Sequence, residues 1–185
     1  MSTLTVALLW TLSLAGLFVA AVSDFRHRII SNRLVALTAG CGAAIRLIVD
    51  GRSIGLSLGI AAVLMLALGL AAHRQWIGGG DAKLIAAVTL LVPPAGITAL
   101  LLIIAICGGL LSAVYLVAHA TARRPAFVAM AGGPAPLVLS RREGVRRSEL
   151  IRIAKSRSIP YGVAIFTGAA FVALTEAGRW LFAIS

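Results

Sequence analysis

Acidic residues are scarce. The chain has six Asp and Glu in 185 residues against 17 Lys and Arg, and charged residues of every kind make up 12% of it. A soluble domain carries about 25% charged residues. So low a share, with 60% hydrophobic residues and a mean hydropathy of +1.01, excludes a soluble globule. Cysteine is nearly missing as well: Cys41 and Cys107 lie far apart in apolar runs with no CxxC spacing, which argues against a disulfide framework or a cysteine zinc site. His27, His73 and His119 show no HExxH or related ligand spacing, so no metal and no other cofactor is expected. The glycines before Lys83 do not make a phosphate loop, because Leu84 stands where Ser or Thr should follow the lysine. The first residues lack Lys and Arg, and the apolar run 4–22 exceeds the about 7–15 residues of a signal-peptide core, so it reads as a membrane span that is kept.

What the chain does have is long apolar runs. Six spans are expected, over 4–23, 33–49, 54–72, 81–93, 95–119 and 159–182, in an all-α polytopic membrane protein with one integral membrane domain, 1–185. The breaks fall at Ser31-Asn32, Asp50-Gly51 and Pro93-Pro94, which carry start, turn and stop chemistry. Basic residues set the orientation. Arg26, Arg28, Arg33, Arg74, Lys83 and nine more between Arg123 and Arg157 place 14 of the 17 on one face, leaving Arg46, Arg52 and Arg179 on the other. The positive-inside rule makes the first face cytoplasmic, with residues 121–158 a long cytoplasmic basic loop and both chain ends outside. The net charge of +11 is thus a topology signal, and nucleic acid is not expected as a partner. Part of the loop, LVLSRREGVRRSELIRIAKSR over 137–157, mixes apolar and basic positions and reads as a surface segment that meets anionic lipid.

The fourth span is short. Asp81 to Val92 would make about 18 Å of helix, well under a hydrocarbon core of ~30 Å. Irregular backbone at that depth is tolerated only within protein or beside a wet cavity, so Asp81 should stand in a protected, partly hydrated place. Of the other acids, Glu143 and Glu149 belong to the basic loop, Asp50 to an outer turn and Glu176 to the outer part of the last span. Asp24, closing span one, and Asp81, opening span four, then share the cytoplasmic edge. Each has a plain explanation, Asp81 as a helix cap and Asp24 as an i+4 partner of Arg28. Together they also suit peptide hydrolysis: one carboxylate acts as base on water while its protonated partner polarises the scissile carbonyl. Like charges held close cannot both ionise, so such a pair shares a proton. Gly78, Gly79 and Gly80 would let the backbone approach an extended substrate.

Gly78-Gly79-Gly80-Asp81 fits the GxGD signature of intramembrane aspartic proteases, and its extension through Lys83 resembles the GGGDxK form of prepilin peptidases. The stretch SDFRHRIISN, from Ser23 to Asn32, looks like the family's first-aspartate motif ending in Ile-Pro-Asn, with Ser31 at the usual proline position. Ile159 to Ile165, IPYGVAI, is similar to the segment opening the last helix in the short, Flp/Tad-type branch. The resemblance implies an endopeptidase of the bacterial inner membrane that removes a hydrophilic leader from prepilins on the cytoplasmic side. Asp24 and Asp81 would be its catalytic pair, and a prepilin with a leader and a hydrophobic helix its partner. Long-form members also N-methylate the new terminus, and many carry a cytoplasmic domain with paired CxxC; no such domain or CxxC is seen here, so the resemblance to the short branch implies peptidase activity alone.

Supporting residues keep two readings each. Lys83 is either a snorkelling anchor or a charge for a substrate carbonyl. Asn32 caps span two, with any alignment of Asp24 secondary. Tyr161 is an interfacial aromatic or a hydrogen-bond donor into the site. Arg26 and Arg28 read as topology anchors. Two other function classes compete: a small ion- or proton-coupled transporter using Asp24 and Asp81 as ligands, and a non-catalytic pilus assembly protein. Both aspartates at one face and no internal repeat count against the first, and the presence of both aspartates counts against the second.

Overall fold

Alternation of apolar runs with short polar breaks gives helices alone. The computed structural model describes residues 2–122 and 161–182, and among these there is no strand. The helices are α1 (Ser2–His27), α2 (Asn32–Asp50), α3 (Ile54–His73), α4 (Gly79–Thr89), α5 (Ile97–Ala122) and α6 (Tyr161–Phe182), with a 3-10 turn at Pro94–Gly96. Four helical stretches, Thr3–His27, Asn32–Asp50, Ile54–His73 and Pro94–Ala118, are long and apolar enough to cross a membrane. The fourth expected span is the helix α4 of 11 residues, and the apolar part of the last is Tyr161–Thr175. The basic loop lies outside the described residues from 123 onward.

Local chemistry explains the ends. Ser31, not Asn32, caps α2: its hydroxyl accepts the Arg33 N–H at 3.3 Å, one of the orphan donors of a helix start. Its φ of −69° is what a proline ring would fix, so the serine keeps the turn that proline would make and adds a cap. Leu90 and Leu91 donate to the Ala87 and Val88 carbonyls in a tightened last turn of α4. Pro93, extended at φ −62° and ψ 154°, then stops the chain.

By its internal contacts the described chain falls into two units. One begins at Gly109 and is represented by the end of α5, where Leu110, Val114, Leu116 and Val117 are exposed. The other, residues up to Gly108 with α6, holds the core. There α4 is the centre: its Leu84, Ile85 and Val88 share one buried cluster with Leu17 and Ala20 of α1, Ile45 of α2, Leu100 and Ile104 of α5, and Ile165 and Ala169 of α6, and α4 packs directly on α3, α2 and α6. A Cβ on Gly42 would stand 2.8 Å from the Leu90 backbone, so α2 needs glycine to come this close to α4. Lys83 meets Asn32 at one end and the Leu91 carbonyl meets Arg46 at the other, so α2 and α4 run parallel. Asp24 lies by Gly162 and the Phe18 ring by Phe166, so α1 and α6 run antiparallel. Consequently the end of α1 and the starts of α2, α4 and α6 gather at one end of the bundle.

Candidate active site

The last turn of α1 carries Asp24, which is 6% exposed. One of its carboxylate oxygens, Oδ2, accepts the backbone N–H of Gly162 at 2.9 Å, in the first turn of α6. That amide is among the donors a helix start leaves unpaired, and the N-terminal dipole favours negative charge there. Glycine leaves room here for the carboxylate: a Cβ on Gly162 would lie 3.0 Å from both the Asp24 Cβ and its Oδ2. Asp24 also closes its own helix, its carbonyl accepting the Arg28 N–H at 2.9 Å. Ser23 donates to the Ile29 carbonyl at 2.8 Å, which ties down the loop between α1 and α2. That loop rests on α4, since a Cβ on Gly80 would meet Ile30 at 3.1 Å.

Asp81 stands half-buried in the first turn of α4, a helix too short to cross. Its carboxylate folds back over Gly78, where a Cβ would come within 2.6 Å of Oδ2. Its other oxygen, Oδ1, is closed to solvent and has no hydrogen-bond partner among the described residues. Burial raises its pKa first and the nearby Asp24 charge second; Arg28 opposes both, and the carboxyl is pushed up to about 7. The two carboxylates, from distant parts of the chain, are thus close enough for each to sense the other's charge.

The glycine triplet uses none of the positive-φ backbone that glycine alone adopts freely. Gly78 is extended at φ −68° and ψ 135°, Gly79 and Gly80 are already helical, and no described glycine has a positive φ. Two of the three provide room instead, Gly78 for Asp81 and Gly80 for Ile30, while a Cβ on Gly79 meets nothing within 4 Å.

The other expected residues divide. Lys83 donates its Nζ to Asn32 Oδ1 at 3.3 Å, which joins α4 to the start of α2 and turns both side chains to each other. Tyr161, the first residue of α6, packs on the core, and its phenol occupies the space left by Gly108 of α5, within the field of Asp81. Two residues that sequence reasoning passed over complete the site. Gly162 lies inside the IPYGVAI stretch, yet its use is a backbone N–H, which no side-chain pattern marks. Arg28, read as an anchor, sends its charge to both aspartates. Among the described residues no three of His, Cys, Asp and Glu gather where they could hold a metal ion.

A model of the type IV leader peptidase family matches residues 11–113, more than half of the chain and the part that holds both aspartates. The chain belongs to that family. No curated protein and no solved structure matches this leader peptidase family member. The segment of α6 that touches Asp24 lies beyond the matched residues, so its part in the site rests on the geometry alone.

Proposed function

We propose that this leader peptidase family member is an aspartic endopeptidase that removes the hydrophilic leader of Flp-type prepilins. On this reading it works at the cytoplasmic face of the bacterial inner membrane, with α4 a short helix held inside the bundle at that face. One observation supports the proposal: buried Asp24 and half-buried Asp81, from helix ends far apart in sequence, stand close enough that the Asp24 charge acts on Asp81.

The two carboxylates have different surroundings, and the difference assigns their roles. Of the two, only Asp24 accepts an N–H at a helix start, a bond that favours its ionised form relative to Asp81. Asp81, pushed to about 7 with an unpartnered oxygen, suits the form that holds the shared proton. In the first half of the reaction Asp24 takes a proton from water as the water oxygen bonds to the scissile carbonyl carbon. The carbonyl oxygen meanwhile takes the proton of Asp81, giving a neutral gem-diol. In the second half the C–N bond breaks, Asp24 returns its proton to the leaving amine, and Asp81 recovers one from the gem-diol. Atoms and protons balance, and the pair is restored.

An Asp→Asn change keeps size and hydrogen bonding but cannot exchange the acidic proton. Asp24→Asn and Asp81→Asn are each expected to abolish cleavage of a co-expressed prepilin on a gel, with membrane insertion unchanged. The double variant should be no worse than either single, because residues acting as a unit are not additive. An inserted Asp24→Asn protein that still cleaves at a substantial rate would refute the dyad.

A further inference from the structure

Arg28 has a backbone that an arginine rarely adopts. Its φ is 58°, one of two positive values at non-glycine residues among those described. It follows the last residue of α1, and its N–H bonds back to the Asp24 carbonyl at 2.9 Å. That is the left-handed helix ending that glycine or asparagine normally supplies. The other residue of this kind, Gln75 at φ 60°, closes the turn after α3 with its N–H on the Ala72 carbonyl and is exposed, so it needs no further explanation. Arg28 differs. Its Nε and Nη1 are closed to solvent and donate to no group among the described residues. Its charge reaches both Asp24 and Asp81, and Ser23 and Gly80 hold the loop that carries it against the site. Closing off unpaired donors of a charged group is costly, and strained backbone is kept where the surroundings over-determine it. A resting ion pair with Asp24 does not account for two N–H groups left without acceptors.

Resting on the proteolytic reading above, we propose that Arg28 is a third catalytic residue. It offers its unpartnered guanidinium N–H groups to the scissile carbonyl oxygen beside the aspartate pair. The planar fork would polarise the carbonyl before attack and hold its oxygen through the gem-diol, while the proton transfers stay with Asp24 and Asp81. This is the electrophilic half of the reaction, supplied by donors already in place.

The backbone supplies a clean test. Glycine adopts φ 58° without strain, so Arg28→Gly removes the guanidinium while easing the turn. The purified protein in lipid is assayed on a substrate with a short hydrophilic leader ahead of a hydrophobic helix, with Gln75→Gly as control. Arg28→Gly is expected to melt no lower than the unaltered chain, yet to lose about 10²-fold in kcat, the usual cost of one such donor. KM should change little, the loss should persist from pH 5 to 9, and added ethylguanidinium should restore part of the rate. Gln75→Gly should gain the same backbone relief at unaltered kcat. The proposal is overturned by an Arg28→Gly rate near that of the unaltered chain, by a loss confined to KM, by recovery on merely changing pH, or by absence of rescue. If the unaltered chain itself cleaves nothing, the proteolytic reading fails and Arg28 falls with it. If it cleaves and Arg28→Gly cleaves as fast, only the Arg28 assignment fails.

Discussion

Helices α3 and α4 follow one another in the chain and are opposites in space. α3 has 20 residues, almost all apolar, yet only Ser57 and Ala61 are buried. Leu56, Leu58, Val63, Leu66 and Leu70 face outward. α4 has 11 residues, including an aspartate and a lysine, and is buried from Leu84 through Thr89. In water the more apolar helix would be the core. In a bilayer, lipid tails are as apolar as leucine, so apolarity does not drive helices together, and close packing by small residues decides instead. α4 is lined with alanines and received by Gly42, whereas α3 has Gly55, Gly59 and Gly69 with open space around them. The burial of α4 is also what places its first turn, and so Asp81, at the corner formed with α1 and α6.

The sharpest way to break this comparison is to truncate one leucine on each helix. Leu84 is 0% exposed and Leu66 is 68% exposed. Leu84→Ala leaves a cavity in the core cluster and should cost about 2–5 kcal/mol. Leu66→Ala only exchanges side-chain contact for lipid contact and should stay within about 0.5 kcal/mol. Thermal unfolding in lipid measures both. Equal losses would mean that α3 is covered by something else.

Much of this contrast was hidden in the sequence, for a physical reason. Hydropathy reports what a segment tolerates around it, and α3 and α4 tolerate both lipid and protein. The breaks were legible, because Ser31, Gly51 and the Pro93-Pro94 pair carry their meaning locally. The shortness of the fourth helix and the placing of Asp24 and Asp81 at one face were legible too, from chain length and loop charge. The Gly162 amide was not, because every residue but proline has one and only tertiary placement selects it. Arg28 was not, because nothing in its type announces a left-handed backbone. The triplet's other use was not legible either: the sequence suggests backbone access for a substrate, and the structure also uses two of the three glycines for space.

A smaller effect separates the mouth of α4 from its body. Asp81 has an ordinary value of 3.8 and is raised to about 7 in the fold. Between those values the folded state holds a proton that the unfolded state has released, so stability falls as pH rises through this window and levels off above about 7. Asp81→Asn removes the linkage. Its melting temperature should change less from pH 5 to pH 8 than that of the unaltered chain, with the unaltered chain the less stable of the two at pH 8. Cleavage needs the proton on Asp81, so kcat should drop about tenfold per pH unit above 7. Melting curves that keep the same spacing at every pH, or a rate still rising at pH 8, would place the shared proton elsewhere.

The smallest expected effect lies inside the glycine triplet. If the three glycines formed a hinge, alanine at any of them would stiffen it and all three variants would fail alike. If they provide space, the variants should rank by what a new Cβ would meet. At Gly78 that is the Asp81 Oδ2 at 2.6 Å, at Gly80 the Ile30 Cβ at 3.1 Å, and at Gly79 nothing within 4 Å. Gly78→Ala displaces the carboxylate. Because the flexible end of the side chain gives way, it should cost about tenfold in kcat, less than the about 10²-fold of a full 1 Å misplacement. Gly80→Ala presses on the loop that carries Arg28 and should fall between the two. Gly79→Ala adds a methyl group to open space on a residue already helical, which also trims the freedom of the unfolded chain. It should leave kcat unchanged and stability within about 0.5 kcal/mol, or slightly raised. A Gly79→Ala protein as slow as Gly78→Ala would restore the hinge, and with it the need for this turn to move during catalysis.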